Sequence, residues 1–90
     1  MYEVLFRAEV TFGQEYKVLT RAQQREMLHT LEQSPRQQKP LRGDLQGCYR
    51  YRCGGTRVVF TVDDVALTVT VIAIGPRRDA EVYDLAARRR

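Results

Sequence analysis

Ninety residues with 43% hydrophobic and 29% charged side chains, 3 prolines and 6 glycines form an ordinary globular composition, which excludes a disordered or low-complexity chain. A net charge of +4 points toward anionic partners, and no apolar run approaches the ~20 residues of a membrane-spanning helix. The start, Met1-Tyr2-Glu3-Val4, lacks the basic-then-apolar layout of a signal peptide. One domain over residues 1–90, cytoplasmic and without membrane contact, is therefore expected.

Tyr2-Glu3-Val4-Leu5-Phe6 alternates apolar and polar side chains and predicts a first strand. Ala8, Phe12, Tyr16 and Leu19 then recur at helical spacing, although Val10, Thr11 and Gly13 are poor helix formers and leave open a strand continued to Phe12. Thr20 is a good N-cap for a second helix, with Gln23 placed to complete a capping box. That helix should end before Pro35, with Met27, Leu28 and Leu31 as its apolar stripe, and Ser34 to Pro40 reads as a polar connector. Two antiparallel helices packed on a sheet are the expected picture.

The second half alternates more strictly. Cys48-Tyr49-Arg50-Tyr51-Arg52-Cys53 predicts a strand, Gly54-Gly55 a two-residue turn, and Thr56 to Val62 the returning strand. Around that turn Cys53 opposes Thr56, Arg52 opposes Arg57 and Tyr51 opposes Val58. One face then collects Tyr49, Tyr51, Val58, Phe60 and Val62 as core, so Tyr49 and Tyr51 are packing residues. The other face gathers Arg50, Arg52 and Arg57 with Val59 and Thr61. Cys48 and Cys53 fall on opposite faces and are read as free thiols.

Asp63-Asp64 predicts the next turn and Ala66 to Ile74 an interior strand, which Gly75-Pro76 should stop. Asp79 can cap a last short helix with a Val82, Leu85 and Ala86 stripe. Arg88-Arg89-Arg90 would then sit at the negative end of its dipole.

Charge is unevenly distributed. Residues 36–57 contain Arg36, Lys39, Arg42, Arg50, Arg52 and Arg57 against Asp44 alone. An anionic partner and a solvated basic face kept for solubility both fit that excess. Arginines directly opposed across two strands repel, however, so a purely structural account of the three on one face is weak. His29, the one histidine, lies on the second helix away from them and reads as structural or solvated. The spaced ligands of a metal site are absent, and no cofactor is expected.

Leu41-Arg42-Gly43, Cys48 to Arg52, Arg57-Val58-Val59-Phe60, Ile74-Gly75-Pro76-Arg77-Arg78 and Glu81-Val82-Tyr83, in this order and spacing, resemble the RelE/ParE toxin superfamily. The resemblance implies an α+β fold: N-terminal strand, helical hairpin, then an antiparallel sheet with a short C-terminal helix. It implies a toxin of a type II toxin–antitoxin system, a metal-independent, ribosome-dependent endoribonuclease that cleaves mRNA and inhibits translation. Carried over by position, the family's catalytic residues fall on Arg50, Arg52, Arg57, Arg77 and Tyr83.

In that chemistry a 2′-hydroxyl attacks the adjacent phosphate and the 5′ oxygen leaves. Arg57 and Arg52 would clamp the phosphate, Tyr83 would stack on a base or orient the nucleophile, and Arg77 would stabilise or protonate the leaving oxygen. Family members often carry lysines where Arg50 and Arg52 stand, and arginine stays protonated, so proton abstraction is the step this departure touches. Arg36, Lys39 and Arg42 either contact ribosomal RNA or are exposed connector charges. The implied partners are a cognate antitoxin, the ribosome and mRNA. Arg57 and Arg77 are expected outside the core, so their removal should spare folding. A ParE-like inhibitor of DNA gyrase without enzymatic activity, or an inactive relic that retains antitoxin binding, shares the same fold.

Overall fold

The computed structural model describes residues 1–76 and 81–90. The alternating segment forms β1 (Glu3–Phe6), which leads into a helix of only five residues, α1 (Ala8–Phe12), and a 3-10 turn over Glu15–Val18. The break follows Gly13, where Gln14 takes a left-handed φ of 71°. The Gly13 amide bonds the Glu9 carbonyl at 3.0 Å, and a Cβ there would stand 2.3 Å from the same oxygen.

The expected helical face through Ala8, Phe12, Tyr16 and Leu19 is thus corrected, and the alternative strand to Phe12 does not form. A 3-10 turn has about 3.0 residues per turn, so 3.6-residue spacing does not carry across it. Val10 is fully buried instead, while Phe12 is 86% exposed.

α2 (Arg21–Gln33) starts as read. Thr20 Oγ1 accepts from the Gln23 amide at 3.1 Å, and Gln23 Oε1 accepts from the Thr20 amide at 2.9 Å. Met27 and Leu31 are buried, and Leu28 packs beside them. The helix stops before Pro35, which opens a second 3-10 turn (Pro35–Gln37). The helical hairpin therefore has one long arm and one short one.

Within the expected connector, Lys39–Pro40 forms a two-residue edge strand, β2. The hairpin of β3 (Cys48–Cys53) and β4 (Thr56–Asp63) has the predicted register, Cys53 opposite Thr56, Arg52 opposite Arg57 and Tyr51 opposite Val58. Gly54 takes a φ of 57° in its turn, a conformation that favours glycine. In the next turn the Asp63 carboxylate accepts the amides of Val65 and Ala66. β5 (Thr68–Pro76) extends through Gly75 and Pro76 rather than stopping before them. α3 (Glu81–Arg89) closes the chain, while the predicted cap Asp79 lies outside the described residues.

One five-stranded sheet results, in the order β1-β5-β4-β3-β2, with β1 parallel to β5 and the other pairs antiparallel. The α+β class stands as read, with a mixed sheet. Each face carries its own core. Val10, Met27, Leu31, Tyr51, Val58, Phe60, Val69 and Val71 pack on the α2 side, with Tyr49, Cys53 and Val62 at its margin. Leu45, Cys48, Val59, Ile72, Ala73, Val82 and Ala86 pack on the α3 side. Gly75 admits α3 closely: a Cβ there would meet the Val82 Cβ at 3.2 Å. Among the described residues no helix is long and apolar enough to cross a membrane.

Candidate nucleic-acid interface

Strand pairing assembles the basic residues. Directly opposed residues of antiparallel strands project to the same face, so the pairs Arg52–Arg57 and Lys39–Arg50 place four cations side by side on the α3 face. The alternation of β3 adds Cys48 to this face and sends Tyr49 and Tyr51 to the other. Lys39 joins Arg50 through the edge strand β2, a contact that the connector reading could not reveal.

These cations occupy different environments. Arg52 is exposed, Arg50 half-buried, and Arg57 only 3% exposed. The expectation that Arg57 lies outside the core is corrected: the residue is almost wholly buried, on the face that also carries the α3-side core. Arg57 Nη1 donates to the Gly54 carbonyl at 3.1 Å and the Thr56 carbonyl at 3.2 Å, which ties it to the hairpin turn.

Among the described residues the ion pairs are Arg7–Glu9, Arg36–Asp64 and Arg89–Glu15, so neither Arg50, Arg52 nor Lys39 faces a carboxylate. The Nε of Arg50 is buried without a hydrogen-bond acceptor. A buried donor of this kind carries a desolvation cost that an anionic ligand would relieve.

Tyr83 projects from α3, half-buried against the cluster that includes Cys48 and Val59, which are the same-face neighbours of Arg50. Arg77 lies outside the described residues. Of the connector cations, Arg36 is engaged: it pairs with Asp64, donates to the Tyr49 hydroxyl at 2.6 Å and lies 5.7 Å from that ring centre. Asp64 and its hydrogen bond hold the Arg36 guanidinium above its ordinary range, and Arg36, then the Tyr2 hydroxyl, hold the Asp64 carboxyl below its own. Lys39 and Arg42 are exposed. His29 is exposed on α2, on the other side of the sheet.

Both cysteines are free. Burial raises the Cys48 thiol above the usual range, with Arg90 acting in the opposite sense, and burial followed by Glu26 raises Cys53. Among the described residues no group of three or more His, Cys, Asp or Glu side chains is placed to hold a metal ion. A groove of about 250 Å³ between the Gly13–Val18 segment and α3 is lined by Val18, Ile74, Gly75, Pro76, Val82 and Leu85, and Gly75 is the cross-strand partner of Arg57.

A family model for the ParE toxin of type II toxin–antitoxin systems matches residues 14–81. A putative RelE-like toxin protein of Escherichia coli is 33% identical over 94 residues, spanning 98% of this chain and 96% of the relative. The structure of a double-arginine mutant of the E. coli toxin RelE in the free state superposes with a TM-score of 0.74 at 30% identity, covering 98% of this chain and 96% of that one. The same kind of mutant in complex with an antitoxin RelBc peptide gives a TM-score of 0.67 at 32% identity, covering 94% and 93%. The chain belongs to the RelE/ParE toxin superfamily, and is a RelE-like toxin of the type II toxin–antitoxin class.

Proposed function

We propose that this toxin is a ribosome-dependent endoribonuclease that cleaves mRNA and so inhibits translation in the cytoplasm. The observation that carries the proposal is the cation row on the α3 face, with a buried Arg50 Nε lacking an acceptor and no carboxylate opposite Arg50 or Arg52 among the described residues. Lys39, Arg50 and Arg52, positive charges on neighbouring strand positions of one face, repel, and a bound phosphate backbone reverses the sign of that cost.

Arg50 and Arg52 take the scissile phosphate, with bidentate bonds to oxygens that gain charge as the 2′-hydroxyl attacks. Arg57, buried beneath them, adds positive potential and holds the hairpin turn. Tyr83 stacks on a base or orients the nucleophile, and Arg77 stabilises or protonates the leaving 5′ oxygen. Arginine does not serve as a general base because it stays protonated. Catalysis then depends on charge and position, and a substrate already arranged in the decoding site supplies the position. Lys39 and Arg42, with the outer edge of Arg36, contact ribosomal RNA phosphates. A cognate antitoxin holds the toxin silent, as the toxin–antitoxin complexes among its structural neighbours suggest.

The test is to add the purified protein to a reconstituted translation system and map message ends by primer extension, with and without ribosomes. Cuts confined to ribosome-bound message support the proposal. A second reading, a DNA gyrase inhibitor, is favoured by the match of residues 14–81 to the ParE family model. Intact message together with loss of gyrase supercoiling would establish it instead.

A further inference from the structure

β1 pairs with β5 only as far as Phe6 opposite Val71, followed by one bond from the Arg7 amide to the Val71 carbonyl at 3.0 Å. Beyond that point the β4–β5 register shifts between Val59 and Phe60, so that Ile72 has no partner on β4. The backbone groups left over are taken by side chains from distant parts of the chain. The Ile74 amide donates to Glu15 Oε1 at 3.0 Å, and Arg89 Nη1 donates to the Ile72 carbonyl at 3.0 Å.

Glu15 and Arg89 also bond each other as a fork, Nη1 to Oε1 at 3.0 Å and Nη2 to Oε2 at 2.7 Å, with side chains only 16% and 15% exposed. Arg7 Nη1 donates to the Arg89 carbonyl at 2.7 Å, which fastens the end of α3 a second time. The ion pair thus continues the sheet where β1 stops, and it does so with the last residue of α3.

We infer that Glu15 and Arg89 are positioning residues that seat α3, and with it Tyr83, against the basic face, an inference that rests on the RNA-cleaving proposal above. α3 fully buries Val82 and Ala86 and packs Tyr83, Leu85 and Ala87 partly, apolar contact that is non-directional and leaves the exact seat of the helix to the ion pair. Tyr83 stands less than two helical turns before Arg89, close enough to follow any movement of that end. A shielded, bidentate pair is less screened than a surface one and fixes direction as well as distance. Loss of Glu15 leaves Arg89 partly buried without its counter-charge, and α3 then leaves its seat to hydrate the guanidinium.

The experiment uses full-length protein with 3-fluorotyrosine in place of tyrosine, comparing parent, Glu15→Gln and Arg89→Lys. We expect Glu15→Gln to shift and broaden the Tyr83 fluorine resonance while that of Tyr51 stays in place, and to speed amide exchange in residues 81–89 about tenfold or more. On ribosome-bound message, kcat should fall by about 10- to 100-fold with KM within roughly twofold, as misplacement of a reacting group predicts. Arg89→Lys, which keeps the charge but not the fork, should lie between the two and keeps the test open if Glu15→Gln does not fold. An unchanged Tyr83 resonance with parental kcat in folded variants overturns the inference. If the parent itself cuts no message, the RNA-cleaving proposal fails, and a shifted resonance would then leave only a structural clamp.

Discussion

At Arg57 charge and burial act against each other. Its guanidinium is almost wholly removed from solvent yet bonded to two carbonyls of its own turn, so it serves the hairpin as well as the basic face. Arg57→Ala should therefore cost about 1–3 kcal/mol of stability as well as toxicity, because truncation removes an almost fully buried side chain together with its two hydrogen bonds. Exposed Arg52 separates the two roles: Arg52→Ala should change stability by no more than about 0.5 kcal/mol while abolishing activity, measured by urea melts beside a growth assay. Tyr51, 7% exposed in the α2-side core, should cost about 3 kcal/mol on replacement by Ala. Cys48 gives a pH signature. Its thiol is raised in the folded state, chiefly by burial, so its contribution is full below the unfolded pKa of about 8.5 and is lost as pH rises through the folded value. Cys48→Ala should flatten the alkaline limb of a stability–pH curve, and an unchanged limb would assign that loss to other groups.

Among the elements, those fixed by neighbouring residues could be read directly. The Gly54-Gly55 turn sets the register of β3 and β4, and Thr20 with Gln23 sets the start of α2, so both appear in the chain as written. Thr20→Ala should cost about 1 kcal/mol by thermal melt, since it removes a cap from a real capping box. What could not be read depends on partners far away. An exception is the end of α1, which is local but unannounced: Gln14 turns into the left-handed region at φ 71°, and the 3-10 turn after it has a different period. Alternation shows that Arg57 shares a face with Arg50 and Arg52, but not that it alone of the three is buried. The Glu15–Arg89 pair spans 74 residues and has no local signal. The approach of α3 at Gly75 is testable too: Gly75→Ala should press on Val82 and destabilise by about 1–3 kcal/mol, and a neutral melt would mean that α3 yields easily.

For the whole molecule, the sheet is the dividing wall. Its α2 side holds the larger apolar core, and its α3 side is shared between a second core and a row of cations. α3 stands between these two parts, with its far end held by an ion pair and Tyr83 turned toward the cluster beside Arg50. A superfamily whose members share this fold need not share a target, and the basic face is what argues for RNA here. The most direct measurement is the rate of message cleavage on ribosomes, parent against Arg50→Ala/Arg52→Ala, at equal folded concentration. The account predicts cuts in ribosome-bound message by the parent and a loss of about 100-fold or more in a double variant that melts normally. Equal cutting by both proteins, or none by the parent, would contradict it.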